Sequence, residues 1–205
     1  MSRIGARVFA AIYDRMLRDT EEAGLREHRR AIVGQARGRV LEIGAGTGLN
    51  LPHYGPEATE LVLSEPEEPM ARRLRARATK GEVVDAGADD LPFPDDSFDT
   101  VVSTLVLCTV PDQERALAEV KRVLKPDGRL LFLEHVRSND PKVAKWQDRM
   151  LRPWRFVGHG CHCNRDTAAA LTRAGFEVEL QAWRMPKAPS IVRPAIEGVA
   201  TPAAS

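Results

Sequence analysis

A chain of 205 residues is long enough to bury one substantial core and too short for a second complete domain, so a single domain with local elaborations is expected. Thirty Lys and Arg against 29 Asp and Glu, a formal charge of +1, give no large field for holding a polyanion and argue against a nucleic-acid partner. Three cysteines, Cys108, Cys161 and Cys163, are too few for a disulfide framework, and no run approaches the roughly 18 to 20 apolar residues that span a bilayer. With no secretion signal at the N-terminus, these features point to a soluble cytoplasmic protein without a stable membrane anchor.

From residue 3 to about 30 the pattern is helical, with Phe9, Ile12, Tyr13 and Met16 at the spacing of one face and Arg7, Arg15 and Arg18 elsewhere. Residues 1–35 are expected to form a lid with Tyr13 turned inward, although the same face suits a peripheral membrane contact. Residues 39–43 read as a short buried strand ending in Gly-Ala-Gly-Thr-Gly, followed by a brief helix stopping near Gly55. Strand 61–64 with helix 67–80 comes next, then strand 82–85 with the Pro-rich loop 91–96. Residues 99–107 suit a fourth strand buried on both faces; helix 112–124 ends at the Lys-Pro-Asp-Gly turn of 125–128, and 129–134 is the fifth strand. Residues 137–164, a Trp-bearing helix and a Gly, His and Cys-rich loop, interrupt this rhythm as an insertion over the active-site edge. Helix 165–174, capped by Asn164 and closed by Gly175, leads into strands 176–183 and 192–199, leaving 201–205 as a tail. The alternation predicts an α/β, Rossmann-like, doubly wound sheet of seven strands, mostly parallel with one antiparallel strand near the C-terminus, within a domain spanning 36–200.

Gly44, Gly46 and Gly48 follow a strand and let the backbone bend close to a ligand. A dinucleotide oxidoreductase would carry its third glycine one residue later, where this chain has Leu49, and would present a helix N-terminus to a pyrophosphate. Glu42, just ahead of the loop, opposes a phosphate but suits a ligand with an ammonium group and a sulfonium centre, which selects S-adenosylmethionine over NAD. Ala45 and Asn50 belong to the same loop. Glu65, 21 residues after Gly44, closes the second strand where an acid can accept hydrogen bonds from both ribose hydroxyls, with Pro66 beside it; otherwise it is a solvated acid near Glu67 and Glu68. Met70 suits either the adenine face or plain core. Gly87, Ala88 and Asp89 sit where the adenine edge would be read, unless Asp89 and Asp90 are only a loop acid pair. Thr104, Leu105 and Val106 end the fourth strand at the same sheet edge and should pass under the sulfonium.

The segments VLEIGAGTGLN at 40–50, LPFPDDSFDTVV at 91–102 and EVKRVLKPDG at 119–128 resemble the class I methyltransferases, within them the quinone-biosynthesis C-methyltransferase branch. Adding TLVLCTV at 104–110, LEHV at 133–136, Gly160 with Cys161, and VRPAIEGVA at 192–200, the chain is similar to the methyltransferase-like alkyl-thiol S-methyltransferases of animal microsomes. The resemblance covers residues 36–200 and implies Glu42, Gly44, Gly46 and Gly48 at the methionine end of the cofactor and Glu65 at its ribose. Those animal proteins begin with a hydrophobic anchor, whereas this chain begins with a basic amphipathic helix, so membrane residence does not carry over.

Methyl transfer from a sulfonium is an in-line displacement in a water-poor pocket, for which a general base is optional. With a thiol as acceptor, a nearby histidine would raise the thiolate population, and His135, after the fifth strand, is the candidate; a structural histidine at a strand end is the other reading. Consecutive Cys161, His162 and Cys163 strain tetrahedral geometry and have no fourth ligand suitably spaced, so no metal is expected. His159, His162 and Asp166 are secondary candidates, and Trp146, Trp154 and Phe156 supply either an apolar wall or core. The expected activity is methylation of a small, rather apolar acceptor, first a thiol and otherwise a quinone, phenol or lipid amine, by a monomer or homodimer. A non-catalytic protein that binds S-adenosylmethionine is the alternative of another class.

Overall fold

The computed structural model describes residues 3–203; the ends of the expected lid and tail, residues 1–2 and 204–205, lie outside the described residues. Seven strands form one sheet: β1 (Gly38–Ile43), β2 (Ala58–Ser64), β3 (Glu82–Val84), β4 (Phe98–Thr104), β5 (Leu124–His135), β6 (Phe176–Arg184) and β7 (Pro194–Pro202), in the order β3-β2-β1-β4-β5-β7-β6. All neighbours are parallel except β7, which runs antiparallel to both β5 and β6. The helices are α1 (Arg3–Thr20), α2 (Arg26–Val33), α3 (Glu68–Arg77), α4 (Gln113–Val123), α5 (Pro141–Val157) and α6 (Thr167–Arg173).

The apolar runs of the central strands are buried on both faces, as a sheet covered by helices requires. Leu41, Ile43, Val101, Leu130 and Phe132 pack against Leu117, Val120 and Val123 of α4 and Leu171 of α6. The alternate residues Val40, Val102 and Leu131 pack against Ile32 and Val33 of α2. The strand period of two thus separates two cores across one sheet.

Several boundaries differ from the sequence expectation, each for a local reason. The N-terminal helix breaks at residues 21–25, where Gly24 takes φ +138°, a conformation open to glycine and foreign to a helix. On α1 the large apolar residues Val8, Ile12 and Met16 are exposed, whereas Phe9 and Tyr13 turn inward, so Ile12 and Met16 do not share the covered face. The helix expected after the glycine loop is only a 3-10 turn, Leu51–His53; the Asn50 side chain is drawn inward and Pro52 has no N–H to extend a ladder. β4 stops at Thr104 because Leu105 takes φ +60°. Residues 125–128 bulge out within β5, since Leu124 pairs with Phe98 and Arg129 already pairs with Thr100. Asp166, not Asn164, caps α6 by accepting from Ala169 N, while Asn164 donates to Asp148. A 3-10 turn, Ser190–Val192, delays β7, which then reaches Pro202, so residues 201 and 202 are paired strand rather than tail.

Candidate functional site

The strand order reverses beside β1, and there the carboxyl ends of β1 and β4 frame a narrow crevice. Tyr13, Arg29, Glu42, residues 44–47, Leu49, Asn50 and Thr104 line it. Gly44, at φ +56°, lets β1 turn beneath the segment that follows β4: a Cβ at this position would sit 2.7 Å from Val106 Cγ1.

Glu42 is 2% exposed and accepts hydrogen bonds from Asn50 Nδ2 at 2.9 Å and Tyr54 OH at 2.6 Å. Burial pushes its carboxyl from 4.5 up to about 7, against the opposing pull of Tyr54, Asn50 and Arg29. Arg29, on α2 and 3% exposed, donates to Glu21 Oε1 at 2.8 Å, to Asn50 Oδ1 at 3.1 Å and to Thr104 Oγ1 at 2.8 Å. The crevice therefore holds an acid and a guanidinium together, and the charge argument built on Glu42 gains a buried counter-charge. Tyr13 reaches the same space from α1, its phenol raised to about 12 chiefly by burial and so neutral at ordinary pH.

The N-terminal helices are latched to the glycine loop. Thr47 Oγ1 donates to Asp14 Oδ1 at 2.5 Å, and Arg77 bridges Asp14 Oδ2 at 2.5 Å and Thr47 O at 3.0 Å. Glu65 reaches back from the end of β2, its two carboxylate oxygens accepting from Gly46 N at 2.8 Å and Glu67 N at 2.9 Å. Burial raises its pKa even so. The acid proposed for a ribose thus also fixes the glycine loop.

Of the residues singled out from the sequence, Tyr13, Glu42, Gly44, Ala45, Gly46, Asn50 and Thr104 meet at this crevice, while the rest lie outside its lining. Gly48, at φ +87°, packs where a Cβ would meet Leu51 Cδ1 at 2.6 Å. Pro66 is exposed and Met70 is buried on α3. Gly87 accepts from Asp90 N, Ala88 joins the main core and Asp89 O accepts from Arg115. Leu105 packs into a second apolar cluster. Val106 N and Leu107 N donate at 3.0 and 3.1 Å to Glu134 Oε1, which also accepts from Ser103 Oγ at 2.8 Å. Arg29, Tyr54, Thr47 and Glu134 were not identified from the sequence. An arginine at the apolar spacing of Leu25, Ile32 and Val33 was the available signal for the first.

His135 is 5% exposed, and its Nε2 lies 3.0 Å from Cys161 Sγ. Cys161 also accepts from Trp154 Nε1 at 3.1 Å. The neighbouring Cys108 thiol, with help from His135 and Trp154, brings the Cys161 thiol well below its ordinary value despite burial. The insertion reaches the N-terminal helix through Phe9 and His159, whose ring centroids are 4.4 Å apart. Gln147 ties it to the sheet: its amide donates to Val136 O, Cys163 O and Ile191 O at 3.0, 2.8 and 2.9 Å and accepts from Ser138 N at 2.8 Å. Among the described residues no helix is long and apolar enough to cross a membrane.

An open, mostly parallel sheet with a glycine-bent crevice at its reversal point defines a Rossmann-like cofactor-binding protein. The family model for a methyltransferase domain matches residues 41–132. A thiol S-methyltransferase of Rattus norvegicus is 36% identical over 156 residues, 72% of this chain and 63% of that protein. A ubiquinone/menaquinone biosynthesis C-methyltransferase of Bordetella avium is 34% identical over 194 residues, covering 80% of this chain and 75% of its own. The crystal structure of YcgJ from Bacillus subtilis shares the fold, with a TM-score of 0.72 at 22% identity over 87% of this chain and 100% of that one. The chain belongs to the class I S-adenosylmethionine-dependent methyltransferases, and S-adenosylmethionine is its cofactor.

Proposed function

We propose that this protein transfers the methyl group of S-adenosylmethionine to a small, rather apolar acceptor, first of all a thiol. One observation carries the placement of the cofactor: Glu42 and Arg29, of opposite sign and both nearly inaccessible to solvent, line one glycine-bent crevice. A zwitterionic amino-acid end fits that arrangement, its ammonium toward Glu42 and its carboxylate toward Arg29. Burial keeps the Glu42 carboxyl on the verge of neutrality until a cation arrives. The backbone of residues 44–46 approaches the ligand, Glu65 lies toward the ribose, and Met70 with residues 87–89 lies toward the adenine. Thr104, Leu105 and Val106 border the sulfonium, which supplies the electrophilic methyl.

Residues 1–35 act as the lid, a reading supported by Tyr13 in the crevice and by the Asp14 latch, and residues 137–164 cover the acceptor side. The protein works in the cytoplasm on a small molecule rather than on nucleic acid. The thiol is favoured over other acceptors because the rat relative is named for thiol methylation. A quinone is the second reading, supported by the name of the Bordetella relative. The test is to incubate the protein with labelled S-adenosylmethionine and a panel of alkyl thiols, quinols, phenols and amines. Labelled thioether is the expected product; binding without turnover of any acceptor would instead make the protein a cofactor sensor.

A further inference from the structure

Three soft ligands converge just beyond the cofactor crevice. Cys108 comes from the turn after β4, His135 ends β5 and Cys161 belongs to the loop after α5. Their ligand atoms, two Sγ and the imidazole nitrogen, all lie within 4.8 Å of one another. The three residues are 1%, 5% and 6% exposed. A tetrahedral zinc ion, with metal–sulfur bonds of about 2.3 Å and a metal–nitrogen bond of about 2.0 Å, separates its ligands by roughly 3.5 to 3.8 Å. The cluster brackets that spacing, from the 3.0 Å between His135 Nε2 and Cys161 Sγ upward. This is not the trio that adjacency in sequence offered: Cys163 Sγ turns away toward Gln147 O, and His162 is held by its backbone N–H on Cys108 O.

The surroundings suit a metal. Two thiolates and a neutral imidazole cancel a dication, giving a neutral complex within the apolar cluster of Leu25, Leu133, Met185, Ile191 and Val192. Trp154 Nε1 donates to Cys161 Sγ at 3.1 Å, the kind of supporting hydrogen bond that orients a ligand behind a metal. No fourth Cys, His, Asp or Glu joins the group among the described residues, so one coordination position stays open to an outside ligand. Cys108 Sγ is 3.5 Å from Leu105 O, and Leu105 directly follows Thr104 of the crevice lining, which brings the cluster close to the crevice.

We propose that Cys108, His135 and Cys161 form a zinc site whose fourth position takes a thiol as its thiolate. The choice of a thiol rests on the function proposed above; the metal site does not. As zinc binds, the two cysteine protons leave to solvent. As the outside thiol binds, its S–H bond breaks, the proton leaves to solvent and the sulfur keeps the electron pair. That pair then forms the new S–CH3 bond while the methyl–sulfonium bond breaks and S-adenosylhomocysteine departs.

The test uses the full chain, reduced and stripped of metal, then titrated with Co2+ as a spectroscopic stand-in for zinc. One equivalent should give thiolate-to-cobalt charge transfer and the strong visible bands of a tetrahedral ion, both abolished by zinc. Cys161→Ser and Cys108→Ser should remove the charge transfer with unchanged circular dichroism, and Trp154→Phe should weaken metal affinity about 10- to 100-fold. Butanethiol added to the cobalt form should shift the visible bands. Absence of stoichiometric binding overturns the site, as does a Cys108–Cys161 disulfide in the non-reduced protein together with no metal uptake after reduction. Cobalt bound with no response to butanethiol overturns the open position. Thiol methylation that persists at full rate in verified metal-free protein overturns the catalytic use of the site and leaves the proposed function standing. A metal and thiol response with no methylated thiol leaves the metal site and its open position standing and overturns the proposed thiol methylation.

Discussion

Replacing Glu42 by Gln tests the electrostatics of the crevice directly, because Gln keeps the shape of the neutral carboxyl. The wild-type group titrates near 7 in the folded protein against 4.5 as its ordinary value, with burial as the main cause. A folded-state pKa above the unfolded one means that the native state holds the proton more tightly. The associated stability is fully present below about pH 4.5 and is lost as pH rises through about 7, some 3 kcal/mol in all at about 1.4 kcal/mol per tenfold. Glu42→Gln has no such loss. Melting curves of both proteins without cofactor should differ at pH 4 only by the altered bonds to Tyr54 and Asn50. By pH 8 the variant should have gained roughly 6 to 12 °C relative to that baseline, at about 2 to 4 °C per kcal/mol for a domain of this size. Cofactor binding should show the opposite preference. S-adenosylmethionine should bind the variant at least tenfold more weakly, and calorimetry at pH 6 in two buffers of different ionisation enthalpy should register close to one proton released by wild type and none by the variant. Parallel pH–stability curves, or equal proton release, would refute the assignment of a strained, cation-seeking carboxyl.

Glu65→Ala should weaken binding of S-adenosylhomocysteine by more than tenfold and speed amide exchange at Gly46 and Glu67, whose N–H groups it holds; unchanged affinity would remove the ribose assignment. Asp14→Ala cuts the latch to Thr47 and Arg77. At about 0.5 to 1.5 kcal/mol for each bond, it should raise the cofactor dissociation rate roughly tenfold in stopped-flow fluorescence, and an unaltered rate would mean the N-terminal helix is no lid. Gln147→Ala strips partners from three buried carbonyls and the Ser138 amide. A cost of about 3 kcal/mol is expected, seen as melting some 6 to 12 °C lower; a drop within a degree would show that solvent replaces this amide.

The parts of the fold that were legible are those in which local chemistry and global packing agree. Alternating apolar strands, a glycine bend at φ +56° and Gly175 closing a helix each carry their signal within a few residues. The seven-stranded, mostly parallel sheet followed from the alternation of strands and helices, whereas its strand order came only with the structure. Boundaries failed where one side chain served a distant partner: Asn50 left the expected helix because its amide is used by Glu42 and Thr104, and Leu105 gave up strand geometry at the turn that Glu134 holds from β5.

Within the site, the sequence exposes the glycine backbone and the acids Glu42 and Glu65 and hides the guanidinium of Arg29. Arg26, Arg29 and Arg30 look interchangeable on paper, since all are long, basic and helical. Only docking of α2 onto the sheet buries Arg29 and leaves its two neighbours in solvent. An ion buried this way is expensive unless its bonds are complete, and the completion comes from three segments: Glu21 at the kink, Asn50 after the glycine loop and Thr104 at the end of β4. The same logic separates the cysteines. Cys161 and Cys163 are neighbours in sequence, yet Cys161 meets Cys108 and His135 because the β4 turn and the end of β5 come to the same edge of the sheet. A reading confined to spacing sees the pair that shares a loop; the chemistry belongs to the residues that share a sheet edge.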